Sequence, residues 1–330
     1  MIRSRITGIG FHVPPRVVTN HDLEKIMDTT DAWIVERTGI RERHFVEGDV
    51  GSSDLGIEAA RKALADAGRT PADVDFVVFA TTTSDWMFPG NGVIVQEKLG
   101  LGNVGALDVR NACSGFIYSL SVADAFIRMG QYKCVLVIGA EVQSTGLDLR
   151  TEGRDMAVLF GDGAGAAVVE PSTDGSGILS WALHSDGQFA RDLWCEAPSS
   201  RVPGRVTQAM LEAGQQLPRM NGRQVFKNAT TRFPEVINEV LVASGHTLAD
   251  VDLVVPHQAN QRISDAVVQR LGIAHEKVFQ NVQRYGNTTA ASIPIALTEA
   301  REAGLVNRGD LIVLAAFGAG FAWGGCAIRW

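Results

Sequence analysis

The stretch GRTPADVDFVV, residues 68–78, recurs as GHTLADVDLVV at residues 245–255. The two copies are 177 positions apart, and eight of their eleven positions are identical, including Asp73 with Asp250. Each copy follows a helical pattern and ends in a short apolar run, which is typical of a strand buried on both faces. Because two copies are too few for a solenoid, the repeat predicts a duplicated α/β unit whose two halves pack into one body.

Strand and helix patterns alternate on both sides of this repeat, which predicts parallel strands joined by helical crossovers. The two halves are expected to cover residues 1–175 and 176–330. Helices are predicted to begin at residues 19–20 and 52–54, and strands are predicted at residues 2–10, 76–80, 104–109, 135–139, 156–170, 178–184, 278–282 and twice within 311–330. Residues 31–43 are interpreted as a solvated turn around one tucked tryptophan, and the irregular residues 186–222 as a surface excursion near an opening.

The bulk composition narrows the class of protein. The chain is 45% hydrophobic and 20% charged, as in an ordinary globular protein, and its net charge of −7 argues against nucleic acid as the main partner. No apolar run reaches about 18 residues, so no membrane span is predicted, and the N-terminus lacks the pattern of a secretory signal. The four cysteines and seven histidines show neither disulfide nor metal-ligand spacing, which predicts a reducing cytoplasmic location and no metal.

Cys113 lies in VGALDVRNACSGFIYSL, residues 104–120, where a strand pattern ends and an apolar helix pattern begins. A thiol at such a junction faces free backbone N–H groups and the positive end of a helix dipole. That setting predicts a thiolate, the form that attacks a carbonyl carbon. The alternative is a small apolar cysteine packed in a core, where most free cysteines lie.

The glycine-rich run GDGAGAA, residues 161–167, has the composition of a phosphate-binding loop. It lies inside a strand pattern with no helix start after it, and the chain contains no GKS or GKT, so this signal for nucleotide binding is weak. Glycines at these positions predict instead a close approach of two backbones.

His257 and Asn287 become informative together. His257 ends the second copy of the repeat strand, where α/β sheets place their ligands, and Asn287 follows Cys113 by 174 residues, close to the repeat offset. Taken singly, they could be a satisfied loop histidine and a turn or cap asparagine. If the three residues share one cleft, Cys113 could carry an acyl group. His257 and Asn287 could then donate hydrogen bonds to a carbonyl oxygen that becomes negative.

Seven motifs carry a resemblance to a known family, namely TTDAWIVERTGIRERH, FPGNG, ACSGF, FGDGAGAA, VVPHQANQRI, GNTTAASIP and FGAGFAWG. Over essentially its whole length the chain resembles the β-ketoacyl-acyl-carrier-protein synthase III enzymes, which are condensing enzymes of the thiolase fold. The resemblance implies an α/β, thiolase-like fold of two pseudo-duplicated halves in a layered αβαβα arrangement. It also implies that Cys113 is the nucleophile, that His257 and Asn287 are the donors in the condensation, and that Gly320 and Cys113 supply oxyanion N–H groups.

The same resemblance implies how substrates bind. Trp33 and Arg37 would flank the adenine of coenzyme A, and Arg154 would meet its phosphates. Phe88 would reach across a homodimer interface into the neighbour's acyl pocket. The remaining implied residues are Phe160, Met220 and Gly222 for substrate binding, and Arg262 with Lys227 for docking the acidic carrier protein. No cofactor is expected, because coenzyme A enters as the substrate's thioester.

The implied reaction is a ping-pong condensation that initiates fatty-acid synthesis. An acyl-CoA acylates Cys113, malonyl-carrier protein loses CO₂, and the carbanion attacks the thioester to give 3-oxoacyl-carrier protein. Four departures from the family's pattern leave the primer and second substrate open, namely Asn111, Ser114, Arg223 and the segment 186–214.

Three alternatives remain at this point. A paralogous condensing enzyme could make alkylquinolones, load polyketide starters or join long chains. A non-catalytic partner subunit could share the fold. A papain-like protease also carries Cys, His and Asn in this order, although the chain has no CGSCW motif.

Overall fold

Two large β-sheets, two small two-stranded sheets and three layers of helices make up the chain, whose computed structural model describes residues 2–330. Met1, the first residue of the predicted first half, lies outside the described residues. The strands are β1 Arg3–His12, β2 Val17–Thr19, β3 Glu42–His44, β4 Phe76–Ala80, β5 Gly105–Val109, β6 Val135–Glu141, β7 Gly163–Ser172, β8 Gly177–Ser185, β9 Leu193–Trp194, β10 Arg219–Met220, β11 Leu253–Pro256, β12 Leu311–Gly318 and β13 Ala322–Arg329. The helices are α1 Asn20–Leu23, α2 Asp31–Thr38, α3 Ser52–Asp66, α4 Asn91–Leu99, α5 Gly115–Arg128, α6 Arg154–Ala157, α7 Gln208–Glu212, α8 Gly222–Ser244, α9 Gln261–Leu271, α10 Val282–Tyr285 and α11 Ser292–Glu302.

Both large sheets are mixed. The first has the order β1-β7-β6-β4-β5 and the second β11-β12-β13-β8. Parallel pairing joins β4 to β5 and β6, and β11 to β12, whereas β7, β13 and β8 run antiparallel to their neighbours. The prediction of parallel sheets is therefore only half right, because β12 and β13 are joined by a short turn that reverses the chain without a helical crossover.

Two helices form the central layer between these sheets. The core that joins both sheets contains Phe116, Ile117 and Leu120 of α5 together with Ile293 and Leu297 of α11. A helix that is apolar on most sides is stable only when it is covered on most sides, which explains why α5 and α11 lie inside. Helices α3 and α4 cover the outer face of the first sheet, and α8 and α9 cover the second. The predicted αβαβα layering is confirmed.

The sequence repeat is also a repeat of hydrogen bonds. Thr70 and Asp73 form a capping box, as do Thr247 and Asp250. Two residues after each box, the backbone amide of an aspartate donates to a backbone carbonyl at the start of the neighbouring strand. Asp75 donates to Cys134 and Asp252 to Leu311, both at 3.0 Å. The same short motif thus starts a buried strand in each half and fixes its neighbour.

Three sequence predictions of local structure are wrong. Residues 278–282 form only an isolated bridge between Val278 and Val254, after which α10 begins. Residues 31–38 are the helix α2, which Thr30 caps and Gly39 ends with φ 75°. The predicted strand 156–170 begins only at Gly163, because the chain before it closes the short helix α6. Among residues 2–330, we find no helix with the length and apolar character needed to cross a bilayer.

Candidate active site

A cavity of about 1560 Å³ opens between the two halves and brings together the three residues on which the sequence argument depends. Cys113, His257 and Asn287 all line it, although the three residues are only 6%, 3% and 7% exposed. The other predicted site residues on its wall are Trp33, Arg37, Phe160, Met220, Gly222, Arg262 and Gly320. Arg154, Lys227 and Phe88 lie outside the wall.

Cys113 occupies a tight turn, residues 112–114, between β5 and α5. Ala112 adopts φ 45° to make this turn, and Gly318 lies directly against the cysteine. A Cβ atom on Gly318 would stand 2.6 Å from Cβ of Cys113 and 2.9 Å from its Sγ, so only glycine permits this approach. The turn and Gly318 together hold the sulfur of Cys113 at the cavity wall.

The predicted thiolate is wrong for the free protein. Burial, with a smaller contribution from the carboxylate of Glu141, raises the pKa of the Cys113 thiol to about 12. The backbone amides of Cys113 and Ala319 hydrogen-bond the sulfur and act in the opposite direction. The loss of hydration outweighs the amides, so Cys113 is a neutral thiol at neutral pH.

His257 follows β11, and its backbone amide donates to the carbonyl oxygen of Ala315 at 2.8 Å. Its Nδ1 is 2.6 Å from the Ser292 hydroxyl, at the start of α11, whereas the buried Nε2 has no partner within residues 2–330. Burial lowers the pKa of His257 to about 3, so the ring is neutral. A buried, unpaired ring nitrogen is costly, and here it lies on the cavity side, where a substrate atom can satisfy it.

Asn287 is fixed at both its backbone and its side chain. Its amide donates to Leu159 O at 2.8 Å, and its carbonyl accepts from Gly161 N at 3.1 Å. Its Oδ1 accepts from the amide of Thr289 at 2.9 Å, which leaves Nδ2 as the group that can donate into the cavity. The glycine run therefore serves close approach, as predicted: a Cβ on Gly161 would stand 2.3 Å from Tyr285 O.

Two supporting residues have no signal in a single sequence. Ala319 provides the amide that contacts the sulfur, whereas the predicted donor Gly320 is one residue further on, with φ 137° and a cis peptide to Phe321. Ser292 holds the histidine ring. Without the fold, nothing distinguishes this serine and this alanine from their neighbours, although Ser292 lies within the motif GNTTAASIP and Ala319 within FGAGFAWG.

An aromatic side chain between two cations marks the mouth of the cavity. The guanidinium of Arg37 lies 4.5 Å from the ring centre of Trp33, and that of Arg154 lies 5.0 Å from it. Arg154 also donates to the backbone carbonyl of Asp28. Such a cluster suits a planar base that carries phosphates.

The predicted carrier-docking residues lie on α8 and α9, and the side-chain amide of Asn260 before α9 donates to the backbone carbonyl of Arg37. Arg262, at the start of α9, lies 5.8 Å from the ring centre of Phe226, and Lys227 is the next residue on α8. Both cations are exposed, and Arg223 adds a third on the cavity wall. The chain thus presents a local basic patch despite its net negative charge.

An exposed apolar loop, residues 86–88, begins at the cavity wall, where Trp86 is a lining residue. Trp86, Met87 and Phe88 are 60%, 59% and 78% exposed. Nearby, β5 is the edge strand of the first sheet, and its Leu107 is also exposed. Exposed apolar groups beside an open strand edge are typical of a protein interface.

The structure gives positions to the residues that depart from the family's pattern. Ser114 donates to the carbonyl oxygen of Ala322 at 2.8 Å and is fully buried, so it ties the nucleophile's turn to β13. The excursion 186–222 contains the paired strands β9 and β10 and the helix α7, and its Leu193, Trp194 and Cys195 line the cavity. We find no structural reason for Asn111.

Comparisons with known proteins agree along the whole chain. Residues 107–187 match the model of the family described as 3-Oxoacyl-[acyl-carrier-protein (ACP)] synthase III, and residues 241–330 match that of its C-terminal part. Proteins named β-ketoacyl-[acyl-carrier-protein] synthase III are 47% identical in Symbiobacterium thermophilum, over 98% of this chain and 97% of that one, and in Caulobacter vibrioides, over 99% and 100%. The crystal structure of 3-oxoacyl-[acyl-carrier-protein] synthase III from Aquifex aeolicus superposes with a TM-score of 0.91 at 44% identity, covering 99% of this chain and 100% of that one.

Proposed function

The chain belongs to the 3-oxoacyl-[acyl-carrier-protein] synthase III family, and we propose on that premise that it condenses an acyl-CoA primer with malonyl-carrier protein. The product is 3-oxoacyl-carrier protein, the first intermediate of fatty-acid synthesis. Full-length relatives that carry the initiating enzyme's name favour this acyltransferase over the secondary-metabolic paralogue. The papain-like alternative is wrong, since family membership and the duplicated fold exclude it. The supporting observation is that the side chains of Cys113, His257 and Asn287 line one cavity.

In the first half-reaction Cys113 attacks the carbonyl carbon of the acyl-CoA. A new S–C bond forms, the bond to the coenzyme's sulfur breaks, and the thiol proton leaves on coenzyme A. Because the pKa of the free thiol is raised, proton removal must accompany attack. We assign the oxyanion to the amides of Cys113 and Ala319, the two that already contact the sulfur; Gly320 remains the donor predicted from sequence.

In the second half-reaction the malonyl group loses CO₂ and its thioester oxygen becomes an enolate. Asn287 Nδ2 and His257 Nε2 donate to that oxygen, and the Ser292 hydroxyl donates to Nδ1 so that the proton stays on Nε2. Two neutral donors suit this step, since a carboxylate in either place would repel the enolate. The carbanion then attacks the acyl-Cys113 thioester: a C–C bond forms, the C–S bond breaks, and the thiolate that leaves takes a proton from solvent to regenerate the thiol.

Substrate contacts follow from the mouth of the cavity. The Trp33 ring would stack on the adenine with Arg37, and Arg154 would meet the phosphates. Met220 and Gly222 would border the pantetheine arm, and Phe160 the acyl chain. Arg262 with Lys227 would dock the acidic carrier protein, mainly by steering its approach.

We further propose a homodimer formed through the edge strand β5, with Phe88 entering the neighbour's acyl pocket. The halves 1–175 and 176–330 divide between β7 and β8 in this proposal. A cytoplasmic location agrees with the substrates and with four free cysteines. No cofactor is assigned beyond the coenzyme A of the substrate.

Intact-mass spectrometry with a panel of acyl-CoAs tests the assignment. Wild-type protein should gain one acyl adduct per chain, and Cys113→Ala should gain none. Adducts that persist in Cys113→Ala would contradict the proposed nucleophile. Wild-type protein that no acyl-CoA modifies would favour the non-catalytic subunit instead.

A further inference from the structure

A fully buried carboxylate lies behind the nucleophile without a cationic partner in residues 2–330. Glu141, the last residue of β6, accepts hydrogen bonds from the hydroxyl of Thr83 at 2.6 Å and from the amide of Thr82 at 3.1 Å. The hydroxyls of Thr81 and Thr82 complete the ring of donors. Glu141 is therefore surrounded by groups that treat it as an acceptor.

This carboxylate fixes the orientation of Gln143. The side-chain amide nitrogen of Gln143 donates to Glu141 Oε2 at 3.3 Å and to the hydroxyl of Thr289 at 2.9 Å. The reverse orientation would place a carbonyl oxygen against a carboxylate oxygen, which is repulsive when Glu141 is ionised, above its raised pKa of about 7. The carbonyl oxygen Oε1 consequently points away from Glu141, and it has no donor within the described residues, while the side chain lines the cavity.

Gln143 lines the same cavity as Cys113 and lies next to the catalytic residues. Its partner Thr289 also holds Asn287, so the amide is one contact removed from the catalytic group. Coenzyme A would enter past Trp33 and Arg37, so the acyl group on Cys113 must extend in another direction. Thr82, Thr83 and Gln143, which follow the neighbouring parallel strands β4 and β6, also line the cavity, and we infer that the acyl chain extends toward them.

We propose that the primer of this enzyme carries a hydroxyl group that donates to Oε1 of Gln143, so that Gln143 determines specificity. The inference rests on the proposed function, since it assumes that Cys113 accepts an acyl group. A plain alkyl chain would cover the Gln143 oxygen without pairing it, and a site built to hydrogen-bond a substrate rejects an analogue that lacks the group.

The test compares acyl-CoAs of equal length. Acylation rates of Cys113 are measured by intact mass with butyryl-CoA and with both enantiomers of 2-hydroxybutyryl- and 3-hydroxybutyryl-CoA. At least one hydroxylated primer should react about tenfold faster than butyryl-CoA, in line with one hydrogen bond. Gln143→Leu, which keeps the size and removes the acceptor, should abolish or reverse that preference.

Separate outcomes test the two proposals. If butyryl-CoA acylates the wild type as fast as every hydroxylated primer, the specificity proposal is wrong while the condensing function stands. If no primer acylates Cys113, the function itself fails. Gln143→Met is a second variant in case Gln143→Leu folds poorly, and Gln131→Leu, an exposed glutamine away from the cavity, is the matched control. An unchanged preference in both Gln143 variants would also overturn the proposal.

Discussion

The two halves of the molecule share a scaffold but not a chemistry. The turn 112–114 that carries Cys113 has a counterpart in the turn 289–291, 177 residues later, and the first residues of both adopt left-handed backbone, with φ 45° for Ala112 and 51° for Thr289. Each turn leads into a central helix. Yet the position equivalent to Cys113 is Ala290, which packs against Gly115 rather than lining the cavity.

The same asymmetry holds at the repeat strand. His257 follows β11, whereas the residue 177 positions earlier is Ala80, the buried end of β4. Asn287 does not replace Cys113, since it precedes the second turn and holds it through Thr289. The duplicated halves thus place two equivalent sets of strand ends around one cavity. The reactive residues lie at positions that are not equivalent in the two halves.

The strongest test of this comparison moves the thiol between halves. Cys113→Ala should reduce acylation by about 10⁴-fold or more, as loss of a nucleophile does. Cys113→Ala with Ala290→Cys should not restore it, because residue 290 packs against Gly115 and does not line the cavity. Intact mass with acyl-CoA reports both, and an adduct on the double variant would show that the halves are interchangeable.

The second test separates the two half-reactions. His257→Ala and Asn287→Ala should each lower condensation by about 10²–10³-fold, since each removes one donor to the enolate. Both variants should still acquire an acyl group from acyl-CoA. A variant that loses acylation as strongly as condensation would contradict the assignment of these donors to decarboxylation alone.

A third test concerns the contact between the halves at the nucleophile. Gly318→Ala should destabilise the protein by about 2 kcal/mol, because the added Cβ meets Cys113 and overpacks the site. Urea unfolding measures this, with Gly187→Ala as control, since a Cβ there meets nothing within 4 Å. Equal stabilities of the two variants would argue against the close packing.

The smallest expected effect lies in the pH dependence of stability. Burial lowers the pKa of His257 from 6.5 to about 3 and raises the pKa of Glu141 from 4.5 to about 7. Between pH 4.5 and 6.5 the unfolded histidine binds a proton that the folded one does not, so stability rises with pH. The folded carboxyl group keeps a proton that the unfolded one loses, so its contribution falls with pH.

The two contributions oppose each other in that window, one from each half. His257→Ala should therefore make the free energy of unfolding fall with pH relative to wild type, by about 1 kcal/mol per pH unit. Chemical denaturation at pH 5.0, 5.5, 6.0 and 6.5 measures the difference. Parallel curves for wild type and variant would mean that His257 titrates normally in the folded protein.

The sequence predicted the architecture because the repeat and its buried strands are local patterns. It also predicted which three residues converge, because strand ends of related halves meet at one edge. Prediction from the sequence failed for properties that depend on burial and on contacts with residues distant in the chain. The pKa of Cys113 is set by burial, which outweighs its helix terminus, and residues 278–282 have strand composition but only one bridging partner. The roles of three further residues depend on contacts between distant parts of the chain and could not be predicted from the sequence, namely Ser292, Ala319 and Gln143.

One backbone contact links the size of the primer to the later chemistry. Phe160 on the cavity wall forms a parallel bridge with Asn287, through the bonds of Leu159 and Gly161. A bulky acyl group that displaces Phe160 would pull Asn287 away from the enolate position. Both half-reactions would then select for the length of the acyl chain. An acyl group that is too long could still acylate Cys113, but the carbon–carbon bond would form slowly or not at all.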